Sequence, residues 1–293
     1  MKRLLILMLL FLTACSSQGP ASFFDRTPAP FDLSLESTPE EIQKAMLESA
    51  AHWTTLQMSG TITFYVPDSP AQVFTEKVWL DPLNSRYRVE LTDATNNAKP
   101  ALKLSDGETI TNVNYAANTV EQFPYPDFAR VGQYVPPLQE GAVYPNPIWG
   151  QIGTPLSEMA FPANFAQGKG TFTPLAVESV AGRNALVVSW TFSGNTSPSW
   201  KIWLDAQTAV ILKMQEFGKE GGESLQAERV VESIAFDQTF DETAFALPAD
   251  LPQVVAPTPG GIQPCRHRIS PNVRGRGGRT LFLPPAAPAG SIY

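Results

Sequence analysis

Lys77-Val78-Trp79-Leu80-Asp81 returns later in the chain as Lys201-Ile202-Trp203-Leu204-Asp205. In both stretches Lys and Trp share alternate positions, while Val78/Leu80 and Ile202/Leu204 take the positions between them. That is the period of two expected of a β-strand. Each ends in Asp, followed by a tight turn (Asp81-Pro82-Leu83-Asn84 and Asp205-Ala206-Gln207-Thr208) and a returning strand. Both faces of these strands are therefore partly apolar, which suits a curved sheet covered on its concave side. Five residues do not establish a duplication, and two hairpins converging on one stable pattern explain the echo as well.

The alternation extends outward in both directions. Met58, Gly60, Ile62 and Phe64 mark a strand over 57–65, which Pro67-Asp68-Ser69-Pro70 breaks. Strands follow at 73–80 and 86–91, around the hairpin dipeptide Asp106-Gly107, and near 118–120. A second series runs over 175–179, 185–192, 199–204, 210–217 and 226–236. Ahead of both series stands one helix. Thr38 is its N-cap, Pro39 its first residue, and Glu40 and Glu41 complement its dipole. Ile42, Ala45, Met46, Ser49 and Ala50 form its apolar stripe, ending near Trp53.

Between the two series the periodicity fades, from 123 to 168. Pro124, Pro126, Pro136, Pro137, Pro145, Pro147, Pro155 and Pro162 exclude a central strand or a long helix. Yet Tyr125, Phe128, Tyr134, Tyr144, Ile148, Trp149, Met159, Phe161 and Phe165 are too apolar for a solvated linker. Such an insert either packs on the outside of the sheet or covers a cavity as a lid. The expected fold is α+β: a curved antiparallel sheet of about 10–11 strands with an N-terminal helix and a lid-like insert.

The N-terminus sets the compartment. Met1-Lys2-Arg3, a nearly unbroken apolar run to Leu12 and small residues before Cys15 are the marks of a secretory signal. Leu12-Thr13-Ala14-Cys15 resembles the lipobox of bacterial lipoproteins, which implies removal of 1–14 and acylation of Cys15. The apolar run is shorter than the ~20 residues that span a bilayer. The expected location is extracytoplasmic, held to a membrane surface by the Cys15 lipid, with the leaflet left open. Residues 15–37, rich in Ser, Gly and Pro, read as a flexible tether; 38–250 read as one folded domain with its insert at 123–168. The Pro-, Gly- and Arg-rich stretch 251–293 reads as a disordered tail, and its abrupt composition is also what a frame error would leave.

Composition narrows the chemistry. Hydrophobic residues make up 43% and aromatics 10%, enough for a substantial core. Leaving out Lys2, Arg3 and the five Arg beyond Pro252, 14 basic residues face 28 acidic ones, about −14. Such a surface excludes nucleic acid as a partner, because phosphate binding needs a basic face. Only Cys265 remains beside an acylated Cys15, so no internal disulfide forms. The histidines are His52, which has a packing or solvated role, and His267, which lies among arginines. No metal-ligand set, phosphate loop or nucleophile motif is present. The reading is a non-enzyme without cofactor, metal or catalytic residue, acting as a monomer.

The second strand series carries a resemblance. Gly182-Arg183-Asn184-Ala185-Leu186-Val187-Val188, Trp200 to Asp205, Ile211 to Phe217, and Val231 to Phe236 with Asp241, Phe245, Leu247 and Pro248 are similar to the strands and close of LolA/LolB-type lipoprotein carriers. It covers about 38–250. The superfamily also includes RseB-type regulators and mycobacterial glycolipid-binding lipoproteins. The resemblance implies an open half-barrel around an apolar cavity. The implied ligand is a lipid or acylated molecule, bound by burial of apolar area at about 25 cal/mol per Å². Phe64, Trp79, Trp190, Trp203, Met214 and Phe217 are the candidates for that cavity or its cover, with core packing as the alternative for each. The regulator branch implies instead an envelope protein partner. A lipobox of its own and the proline-rich insert set this chain apart from a freely diffusing carrier.

Overall fold

The computed structural model describes residues 28–95, 99–130, 147–194, 199–217 and 224–252; the leader with Cys15 and the tail from 253 lie outside them. Helix α1 spans Pro39–Glu48. Thr38 Oγ1 accepts the Glu41 N–H at 3.2 Å and Glu41 Oε2 accepts the Thr38 N–H at 2.8 Å, a capping box that satisfies two otherwise free donors. Ile42, Ala45 and Met46 face the core, as the stripe predicts.

The strands of the first meander are β1 (Leu56–Phe64), β2 (Gln72–Asp81), β3 (Arg86–Asp93), β4 (Ala101–Asp106), β5 (Thr109–Asn114) and β6 (Thr119–Pro124). Among its described residues the insert holds three α-helices, α2 (Pro147–Ile152), α3 (Pro155–Met159) and α4 (Ala163–Ala166). The second meander is β7 (Gly170–Val180), β8 (Arg183–Phe192), β9 (Trp200–Asp205), β10 (Ile211–Phe217) and β11 (Leu225–Phe236). All 11 strands form one open antiparallel sheet in the order β6-β5-β4-β3-β2-β1-β11-β10-β9-β8-β7. The antiparallel α+β sheet expected from the alternation, as the open half-barrel that the resemblance implies, is thus the observed fold. Both edge strands contain a proline, Pro124 in β6 and Pro174 in β7, which lacks an N–H to offer a new strand.

The two halves of the Lys-x-Trp-Leu-Asp echo behave alike. Val78, Leu80, Ile202 and Leu204 lie in the main core, whereas Trp79 and Trp203 lie on the opposite, outer face. Asp81 and Asp205 are both buried at one end of the sheet, and each pairs with an arginine, Arg86 and Arg183 respectively. Asp205 also accepts the N–H of Gln207 at 3.1 Å and of Thr208 at 2.8 Å, which makes the turn. The chain's last described segment crosses the outer face. Arg88 Nη1 donates to the carbonyls of Ala244 and Ala246, and Leu251 packs on Leu102, Leu104, Val113 and Val120.

One position at the seam between the meanders tolerates no side chain. The β1–β11 register shifts at Ser59/Gly60, and a Cβ on Gly60 would stand 2.1 Å from Val230 O. The obstacle is backbone, so it cannot swing aside. Gly60→Ala is expected to lower unfolding free energy by about 2 kcal/mol or more, measured by urea denaturation. An unchanged midpoint would show that the seam can relax.

Candidate functional site

The concave wall is apolar across both meanders. Leu56, Met58 and Ile62 of β1, Val78 and Leu80 of β2, Tyr87 and Val89 of β3 join Leu186, Val188, Trp190, Ile202, Met214 and Val231 from the other half. Along the described wall this surface is filled by the chain itself. Ile42 and Met46 of α1, with Ile152, Leu156 and Met159 of the insert, belong to the same cluster, and all five are fully buried. The insert therefore packs on the inner face, over β1, β2 and β11 through α3. Two surface hollows of about 370 and 400 Å³ lie elsewhere: one beside Lys99, Tyr115 and Asp250, the other between 31–37 and α1.

The six candidate residues separate into groups. Trp190 and Met214 are buried on the wall. Phe64 is half-buried against it, with its ring 6.1 Å from Phe74. Trp79 and Trp203 do not line the wall. Arg88 lies over the Trp79 ring at 6.0 Å. Trp203 sits with Ala185, Val187 and Leu212, donates Nε1–H to Glu178 Oε2 at 2.7 Å, and has Lys201 and Lys213 Nζ at 4.7 and 4.9 Å from its ring. The reason is strand phase: a residue two positions from an exposed lysine shares its face, whatever its size. Phe217, half-buried at the end of β10, gives its N–H to Ser199 O at 3.0 Å and is not among the side chains packed on the inner cluster. Cys15 lies outside the described residues.

Other aromatics complete what Trp190 begins. Its ring stacks on Trp200 at 4.8 Å and meets Phe192 at 4.1 Å and Phe172 at 6.1 Å; Phe165, within α4, meets Trp200 at 6.0 Å. Phe165, Phe192, Phe64, Phe74 and Leu91 are only partly buried, at the strand ends where β1 finishes and β2 begins. His52 is buried with its ring 3.8 Å from Phe31, a packing role.

Three charged side chains also point inward, and each holds the insert. Glu76 of β2 shares the face of Val78 and Leu80 and is fully buried. Its carboxyl accepts Thr154 Oγ1–H at 2.6 Å and the N–H groups of Leu156 and Ser157 at 3.1 and 3.2 Å, so a wall residue caps the first turn of α3. Lys103 of β4 donates Nζ–H to Ile152 O at 2.5 Å, at the end of α2. Arg229 of β11 donates Nη1–H to Glu158 Oε2 of α3 at 2.9 Å. Burial pushes the Glu76 carboxyl above the ordinary range, opposed by its three donors and by Arg229. Burial likewise raises Glu158 against the pull of Arg229, and Glu216 adds to the rise. Burial lowers Lys103, which Glu76 partly offsets. Parity could have exposed Glu76 from sequence, since it sits at even spacing from Val78 and Leu80. Its partners in the insert could not have been found that way.

No family model matches the chain and no curated protein does. Among solved structures it is similar to MucB, with a TM-score of 0.43 and 16% identity over 74% of this chain and 65% of that one. The same protein in the Pseudomonas aeruginosa MucA/MucB complex gives 0.42, with 63% of that chain covered. The chain thus spans less than two thirds of the MucB chains. An uncharacterized conserved protein from Thermus thermophilus gives 0.41 and 13% identity, covering 74% and 98% of the two chains. A LolA superfamily protein from Nitrosomonas europaea gives 0.28 and 11%, covering 72% and 98%. At these identities and TM-scores none of the likenesses fixes a function.

A carboxyl whose value is raised by folding contributes most stability below its unfolded value and loses it as pH climbs toward the folded one. With Glu76 and Glu158 both raised, thermal stability is expected to fall as pH rises above about 4.3, the ordinary glutamate value. Glu76→Gln should flatten that slope, followed by calorimetry from acid to neutral pH. An equally steep slope in the variant would remove Glu76 from the linkage.

Proposed function

We propose that this chain is an envelope lipoprotein, anchored outside the cytoplasm through an acylated Cys15. Its half-barrel receives an acyl chain from a lipid or an acylated protein, as a carrier or acceptor does and without catalysis. The observation that carries this reading is the contrast between the wall and its cover. The wall is continuous apolar surface across both meanders. The described part of the insert over it, 147–168, holds helices of six, five and four residues. Isolated helices need about 12–15 residues to persist in water, so these exist through their contacts with the wall. A segment of that kind opens at a cost below global unfolding.

An acyl chain taking the insert's place gains about 0.8 kcal/mol for each buried methylene. A long chain therefore offsets the opening of one local segment. Entry is best placed at the aromatic end, where Phe64, Phe74, Phe165 and Phe192 are already part-exposed.

Native mass spectrometry of protein purified from membranes is expected to show a co-purifying lipid, and a fluorescent fatty acid should bind and be displaced by unlabelled chains. Absence of both would sink the acyl-binding reading. Recovery of a specific envelope protein in the same preparation, with no lipid, would replace it with a protein-binding sensor.

A further inference from the structure

The charges on the wall exceed what covering it would require. Burying an ion costs several kcal/mol even when it is paired, and leucines would hold the insert on an apolar surface at less cost. Arg229 lies opposite Ile62 on β1 and Met214 on β10, both buried. It engages Glu158 through Nη1 alone, and its buried Nε has no partner among the described residues. A guanidinium is a planar fork matched to the two oxygens of a carboxylate or phosphate, so this one is used below its capacity. Lys103 likewise spends its charge on a neutral backbone carbonyl, Ile152 O. In a folded part of about −14, two inward cations over one strip of the insert, 152–158, are a departure from the surface pattern.

We propose that Arg229 is the headgroup subsite of the acyl-binding wall, with Lys103 a second inward cation farther along the sheet on β4. Its ligand is a long-chain amphiphile with an anionic head, carboxylate or phosphate. Glu158 of α3 is the chain's own stand-in for that head. The inference rests on the acyl-binding reading and adds the class of ligand. Hydrocarbon would run along Ile62, Met58 and Val78, while the head takes the guanidinium fork of Arg229. Glu76 faces the same strip; burial favours its neutral form, which does not repel an anion. Glu216 stands near Glu158 and adds repulsion that helps α3 to leave.

The test uses the full chain and three probes of equal length: a fatty acid, its monoalkyl phosphate counterpart and the fatty alcohol. Wild-type protein is expected to bind the two anions about ten-fold more tightly than the alcohol. Glu158→Gln removes the internal competitor and should tighten the anions about ten-fold again, leaving the alcohol within about two-fold. Arg229→Gln should abolish the preference while alcohol binding persists. Should that variant not fold, Arg229→Lys, which keeps the charge but loses the planar fork, is expected to reduce the preference several-fold. Preference for the carboxylate assigns a fatty-acid head and preference for the phosphate a phospholipid head, either one in support. Equal affinity for anions and alcohol overturns the subsite alone, as does a Glu158→Gln variant that tightens all three probes equally, because that reports mere loosening of the insert. Failure of every probe overturns the acyl-binding reading as well.

Discussion

Everything in this fold hangs on the pairing of β1 with β11. Each meander is local, strand beside next strand, and could form from short-range contacts. The seam instead joins Leu56–Phe64 to the far end of the domain, in a register from Leu56↔Phe236 to Phe64↔Ala227. Without it there would be two small open sheets, each exposing its apolar face. With it the wall is continuous and curves around one core. The bulge at Gly60 belongs to this junction, because Val230 O occupies the space a side chain would need. Such distant closure is entropically slow to reach.

The concave surface holds a tension between burial and polarity. An apolar wall would be covered most stably by an apolar lid. Here Glu76, Lys103 and Arg229 tie the insert at three points across β2, β4 and β11. Buried hydrogen bonds of this sort add little net stability but penalise any arrangement that leaves them unmade. They define where the insert sits on the inner face. The described part of the insert, which holds helices of only four to six residues, is thus positioned by polar contacts as well as by apolar burial.

The outer face is a different solution to the same sheet. Trp79 and Trp203 are large and apolar, and cations cover both. The lysine of the second motif copy, Lys201, thus has a structural meaning. With Lys213 it shields the tryptophan that strand phase has turned outward, as long basic side chains do over apolar surface.

Local pattern alone determined the strands, their turns, α1 with its cap, and the inward or outward phase of each side chain. The phase of Lys77 and Trp79 already placed Trp79 outside, although its size had suggested the cavity. Glu76, inward by the same parity, was legible as a buried carboxylate, though not its partners. What required the folded chain was everything joining distant segments: β1 with β11, Glu76 with Thr154, Arg229 with Glu158, and the insert's seat on the inner face. Proline spacing shows only that the insert is neither strand nor long helix; where such a segment lies depends on the surface that needs covering, and that surface exists only once both meanders have met.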